Sequence, residues 1–353
     1  MSGKSGPRIV LHIGAPKTAS TYIQRRLRAN TVRLRENGIY VPVLPEVAEM
    51  AGNAKLLPTA LGQRPSLTFQ RAFPKIDIRA LDPKKIVARL LQDWRSDSES
   101  VILSAENLRP THARPVRELL PTTAPCVVIL YVRRQDRWLD SYFNQMIKTN
   151  EIHENIGAFL DRLLSGNDER LCRPDWFAHY SAWREAFGNC EVVFYDEVAS
   201  DVFGVFLKTA GFEPIPGLID IDRAQVSLNL YELAYLLEKS PKDYPDFLRR
   251  KSASEKAARQ LSVRDNRSVL SESDLARLRD AIEESNRRLS SALGRSDSAL
   301  NLDQTLNPQS YCPLPELYAS ETYQRYRNLA DAIYARRNRR DRFRSIFKRS
   351  NPA

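Results

Sequence analysis

No apolar run in this chain of 353 residues reaches the roughly 18 residues a membrane-spanning helix needs; the longest clean one is Cys126–Val132. The opening Met1–Arg8 is polar and leads straight into an apolar strand pattern, so no secretory leader is expected. Cysteine is scarce. Cys126, Cys172, Cys190 and Cys312 form no CxxC pair, which argues against a disulfide frame or a zinc ribbon and for reduced thiols in a cytoplasmic setting. Nor do His12, His112, His153 and His179 show metal-ligand spacing. No internal repeat is present, and no composition break divides the first 330 residues. The expected organisation is one α/β domain over 1–330 followed by a basic C-terminal tail over 331–353.

What is there is a soluble globular composition, 42% apolar and 27% charged, enough for a sizeable core. The net charge of +11 is unevenly spread. Arg336–Arg349 holds eight Lys/Arg against one Asp, or +7, and leaves +4 for all the rest. A body so nearly balanced gives no reason to expect a nucleic-acid partner. The tail carries Phe343, Ile346 and Phe347 among its arginines. That pattern suits either a solvated arm or a peripheral contact with the inner face of an anionic membrane.

Ile9–Ile13, ending at Gly14, reads as a buried strand. Tyr22–Asn37 has Ile23, Leu27 and Leu34 at near-helical spacing and stops at Gly38; Gly38–Pro42 then reads as a second strand. Strand, loop, helix, strand is the opening of a parallel sheet. Further strands are expected at Val101–Ser104, Cys126–Val132 and Glu191–Tyr195, with Cys126–Val132 as the central one. Helices are expected over Pro83–Trp94, Trp138–Lys148, Trp176–Phe187 and Val202–Ala210, and the C-terminal part reads as mostly helical, with a capping box at Ser271 and Asp274. The fold class is therefore α/β, a P-loop-like parallel sheet flanked by helices.

The chemistry lies in the loop Gly14–Gln24 (GAPKTASTYIQ). A strand that passes into a helix through Gly, Lys, Thr and Ser residues binds phosphate, because backbone N–H groups converge there and the helix terminus adds positive charge. Lys17 supplies a full charge; Thr18, Ser20 and Thr21 supply hydroxyls. The nucleotide-triphosphate loop needs Gly directly before its Lys; here Pro16 stands there.

Pro16–Thr21 (PKTAST) resembles the 5′-phosphosulfate loop of the sulfotransferases that use 3′-phosphoadenosine 5′-phosphosulfate (PAPS), which carry Pro-Lys-Ser/Thr-Gly-Thr-Thr at this place. Ala19 replaces the usual Gly, so the backbone there is expected in a conformation that an L-residue tolerates. Ser20 replaces a Thr and keeps the hydroxyl. A second motif, Tyr131–Gln145 (YVRRQDRWLDSYFNQ), resembles the family's 3′-phosphate motif, with Arg133 at a strand end and Ser141 eight positions later. Arg offers a planar fork to a phosphate monoester, and Arg134 and Arg137 are near enough in sequence to share that role. In the carbohydrate-sulfating branch a Glu at the end of the intervening strand takes the acceptor's proton; the resemblance assigns that place to Glu106 in VILSAENL. Tyr195 and Asp196 match a strand that ends in Tyr and an acid.

The resemblance spans most of 8–295 and implies PAPS as co-substrate, no metal, a carbohydrate hydroxyl as acceptor, Lys17 and Glu106 as catalytic residues, and Lys17, Thr18, Ala19, Ser20, Thr21, Tyr22, Arg133 and Ser141 as donor-binding ones. Two other readings stay open on sequence. One is a P-loop kinase of a small molecule; the other is a non-catalytic module that holds a polyanion. His12 reads as a strand residue with a satisfied ring N–H, and Trp138 as core. Gln145 and Lys148 face either the acceptor or solvent. The polar stretch Thr149–Pro174 has the place of an acceptor loop.

Overall fold

The computed structural model describes residues 6–47, 52–221, 227–241, 243–295, 300 and 311–349, with side chains up to 339. Five strands form one parallel sheet: β1 (Ile9–His12), β2 (Ile39–Tyr40), β3 (Ser100–Ser104), β4 (Cys126–Val132) and β5 (Glu191–Phe194), in the order β2-β3-β1-β4-β5. The register runs His12 beside Ser104 on one side and beside Ile129 on the other, and Val132 beside Phe194. The helices in chain order are α1 (Ser20–Ala29), α2 (Thr31–Glu36), α3 (Leu56–Ala60), α4 (Leu67–Ala72), α5 (Pro83–Leu91), α6 (Ala113–Leu119), α7 (Gln135–Lys148), α8 (Ile156–Ser165) and α9 (Trp176–Phe187). They continue with α10 (Val202–Thr209), α11 (Leu230–Lys239), α12 (Tyr244–Leu261), α13 (Glu272–Leu293), α14 (Leu314–Ala319) and α15 (Glu321–Arg349).

The chain divides into two compact units. The first comprises 1–139, 162–224 and 278–304 and contains the sheet. One face of that sheet, with Val10, Ile102, Ile129 and Tyr131, packs against Ile23 and Leu27 of α1 and Phe203 and Phe206 of α10. The alternate residues Leu11, Leu103, Val128 and Leu130 are equally buried on the other face; there α9 packs on β4. A sheet buried on both faces needs near-continuous apolar strands, which is why CVVILYV was legible. The second unit comprises 140–161, 225–277 and 305–353 and is helical. Its core joins α11, α12 and α15: Tyr326 is buried with its hydroxyl on the Ser254 carbonyl at 3.1 Å, and Tyr235 donates to Asp331 at 2.9 Å. Among the described residues no helix is long and apolar enough to cross a membrane.

Several expectations change. The innermost of the five strands is β1, and β4 lies between it and β5. The single helix expected over 22–37 is two, because the Asn30 amide donates to the carbonyls of Arg26 and Ile219 and accepts from the Ile219 N–H. A side chain spent on a distant loop competes with the helix ladder at that position. The polar stretch 149–174 holds α8, whose Phe159, Leu160 and Leu163 are buried. The stretch expected as a tail from 331 continues α15, which packs on α12; Arg337 donates to Ser252 at 2.8 Å. Phe343, Ile346 and Phe347 lie outside the described side chains. All four cysteines are thiols and not disulfides.

Candidate active site

The chain leaves β1 towards β2 and β3 on one side, and leaves β4 towards β5 on the other. The carboxyl ends of β1 and β4 therefore flank a topological switch point, where open parallel sheets bind ligands. The loop after β1 is tightly specified. A Cβ on Gly14 would stand 2.9 Å from His12 Nε2 and 3.3 Å from Thr18 Oγ1, so only hydrogen fits. Lys17 and Ala19 have φ of +67° and +66° on either side of Thr18. Alternation of this kind turns successive N–H groups toward one point and makes an anion-binding concavity. Ala19 caps α1 without a side-chain hydrogen bond, and the first turn holds no acid, so the helix terminus offers its donors and partial positive charge outward.

Three loop residues are constrained within the protein itself. Ala19 sits in the left-handed region, which a non-glycine residue tolerates at a cost of roughly 1–2 kcal/mol. Thr18 is fully buried and donates to the Ala15 carbonyl at 2.6 Å, so its hydroxyl holds the loop together. Tyr22 is engaged with Asp220 at 3.1 Å and stacks near Arg26. Ser20 is buried, and Thr21 is half-buried beside it.

Beneath the loop, His12 is buried with Nδ1 2.8 Å from Ser104 Oγ, while its Nε2 has no partner. Burial drives its pKa down to about 3, so the ring is neutral. One ring nitrogen is satisfied as expected and the other is not.

The loop and the segment after β4 are joined. Trp138 of α7 donates its indole N–H to the Pro16 carbonyl at 2.7 Å, fully buried, and its ring meets Trp176 edge-on at 5.3 Å. Trp176 in turn donates to the Arg133 carbonyl at 2.9 Å. Two indoles thus tie Pro16 and Arg133 into one framework, and Trp138 proves to be core with a polar duty.

The three arginines are not equivalent. Arg134 forks onto Asp136 with two bonds of 2.8 and 2.7 Å. Arg137 is half-exposed and bonds Asp196 at 3.2 Å. Arg133 lies 3.6 Å from Asp196 and 5.2 Å over the Tyr195 ring, and its buried Nε has no hydrogen-bond partner. Arg133 is the one of the three with a buried donor that has no partner, and Tyr195 and Asp196 form the platform that orients it. Sequence reasoning placed that pair only as a pattern; the signal for their role was an acid and an aromatic at the end of the strand neighbouring β4. Ser141 is half-buried on α7 and belongs to the second unit, whereas Arg133 belongs to the first. Lys148 also lies in the second unit, its pKa lowered by burial and then by Lys251.

Glu106 follows β3 and is largely buried, with Lys55 Nζ 4.0 Å from its carboxylate. Lys55 escaped the sequence reading, since it sits in a segment with no clear periodicity. Nearby, Cys172 Sγ lies 4.0 Å from His179 Nε2. Burial pushes that thiol up to about 12 and the ring down to about 4, so the two are not a nucleophile and its base.

No family model matches the chain, and no curated protein matches it. Among solved structures it is similar to a sulfotransferase from Alicyclobacillus acidocaldarius (14% identity, 79% of this chain and 96% of that one, TM-score 0.41). It is also similar to a mouse sulfotransferase complexed with PAP (14%, 93% and 91%, TM-score 0.32). A third similar structure is retinol dehydratase in complex with androsterone and inactive cofactor PAP (14%, 80% and 81%, TM-score 0.38). At these values the likeness decides nothing about chemistry, which this chain's own residues have to carry.

Proposed function

We propose that the chain is a sulfotransferase that moves the sulfuryl group of PAPS to a hydroxyl of a carbohydrate acceptor. The observation that supports it most is the Trp138–Pro16 hydrogen bond of 2.7 Å. It joins an anion-binding loop to the segment carrying Arg133, so that donors for both ends of one bisphosphorylated nucleotide flank the same switch point. PAPS is a substrate with two such ends.

In the proposed reaction the loop N–H groups and Lys17 hold the 5′-phosphosulfate. Arg133 holds the 3′-phosphate. The acceptor oxygen attacks sulfur in line as the bond from sulfur to the bridging oxygen breaks. Sulfuryl transfer is expected to be loose, as phosphoryl transfer is. Negative charge therefore collects on the bridging oxygen, which leaves with adenosine 3′,5′-bisphosphate (PAP), and Lys17 neutralises it. Glu106 accepts the acceptor's proton, and Lys55 at 4.0 Å holds that carboxylate in place.

The kinase and polyanion readings are separated from this one by competition. Labelled PAPS bound to the full chain should be displaced by PAP, and not by ATP or a heparin-like polymer. Displacement by ATP alone would support the kinase, and displacement by the polymer alone the binding module. Transfer of label to a panel of glycans then names the acceptor.

A further inference from the structure

Arg109 stands beyond the carboxyl end of β3, three residues after Glu106, with left-handed Asn107 (φ +72°) turning the chain between them. It is half-buried, and its Nη2 is buried without a partner. Among the described residues its guanidinium makes no hydrogen bond or ion pair. The groups around it explain why. Glu106 has Lys55 at 4.0 Å. Asp175 is spent on the start of α9, where it accepts from the Ala178 N–H at 2.9 Å and from Ser285 Oγ at 2.7 Å. His112 accepts the Arg109 backbone N–H on Nδ1 at 3.1 Å. Burial first, and then the Arg109 charge, lowers that ring to about 4, so it is neutral. Cys172, within electrostatic reach of both Arg109 and Glu106, is held as a neutral thiol by its burial. Arg117 also has an unpartnered buried nitrogen, but it lies 5.8 Å over the Phe187 ring and near Cys126, at the amino end of β4 and away from Glu106.

A cation held partly out of water with no counter-ion weakens a fold unless a ligand supplies the missing charge. A guanidinium grips a planar carboxylate through two parallel bonds, all of them donated. Because Arg109 is only half-buried, an anion can reach its fork from solvent. We propose that Arg109 binds a carboxylate of the acceptor, so that the glycan presented to Glu106 is an acidic one that carries a hexuronic acid. The anion site stands on its own; its service to the acceptor rests on the sulfotransferase reading above. Arg109 is then a specificity-determining residue, and the carboxylate it holds is not consumed.

The test measures the binding of methyl β-D-glucuronide and of methyl β-D-glucopyranoside to the full chain with PAP saturating, so that the acid cannot take the donor's phosphate positions. The glucuronide should bind about tenfold or more tightly than the glucoside, as expected for one charge-assisted pair. Arg109→Met should abolish that difference and leave PAP affinity unchanged; Arg109→Gln, milder on the fold, should do the same. Since the protein itself leaves this cation unmatched, neither variant should lower the urea midpoint. Equal affinity of the wild type for the two glycosides would overturn the proposal. So would a preference that survives both variants, and a lower midpoint with that preference intact would mark Arg109 as structural. A chain that does not bind PAP would lose the proposed function, and the same two glycosides, measured without PAP, would still decide the anion site.

Discussion

The two regions proposed to hold the donor's anionic ends are made of opposite materials. Gly14–Ala19 works through backbone: it holds no acid, and its donors are N–H groups fixed by Gly14 and by left-handed Lys17 and Ala19. The segment after β4 works through side chains whose charges are already matched, Arg134 by Asp136 and Arg137 by Asp196. A backbone site cannot be cancelled by its own counter-ion, so it is ready for an anion at all times. A matched arginine binds phosphate only by exchanging its carboxylate. Arg133, at 3.6 Å from Asp196 with an unpartnered Nε, is the one for which that exchange is least costly. In the proposed reaction the first region sets the rate and the second the affinity for the donor.

Lys17→Ala and Glu106→Gln are the variants that would break this division most sharply. Each is expected to lower kcat at saturating PAPS by at least about a hundredfold, and near-native turnover in either removes that residue from the mechanism. Arg133→Ala should weaken PAP binding by about tenfold or more, as expected for one charge-assisted bond, while kcat at saturation changes little; calorimetry with PAP reads this directly. Trp138→Phe tests the link between the regions. It strands the buried Pro16 carbonyl at a cost of about 1–3 kcal/mol, to be seen as a lower urea midpoint at unchanged slope.

Acid should act through the core beneath the loop. His12 titrates at about 3 and His112 and His179 at about 4, each lowered chiefly by burial from an ordinary value of about 6.5. The unfolded chain therefore binds protons that the folded one refuses. Stability is full above about pH 6.5 and falls as pH drops towards 4, by up to about 1.4 kcal/mol per pH unit for each ring. Urea titrations across that range should show a shallower decline in His12→Gln than in the wild type. The smallest effect expected is from Ala19→Gly. Relief of the left-handed strain, roughly 1–2 kcal/mol, is offset by about 0.5–1 kcal/mol of extra backbone entropy, leaving a slight gain in midpoint; a loss would show that the strain is relieved by some other contact.

Much of this was legible in the residues. β4 was read to the residue, because a sheet covered on both faces demands an unbroken apolar run. The end of α9 at Gly188 and the box of Ser271 with Asp274 are local signals, and both hold. What failed to show was non-local. Asn30 splits a helix by bonding Ile219, 189 positions away. Thr18 resembled a phosphate donor until the loop folded its hydroxyl back onto Ala15. Arg133, Arg134 and Arg137 were indistinguishable as letters; Asp136 and Asp196 divide their labour.

The amino-acid order determined the strands, the loop's residue types and the end of the sheet at which they emerge, since periodicity and turn chemistry act over a few residues. Which donors stay available was decided only when the chain closed on itself. A hydrogen bond or an ion pair is a property of two groups at one distance, and neither Trp138 nor Pro16, read alone, contains the 2.7 Å that joins them.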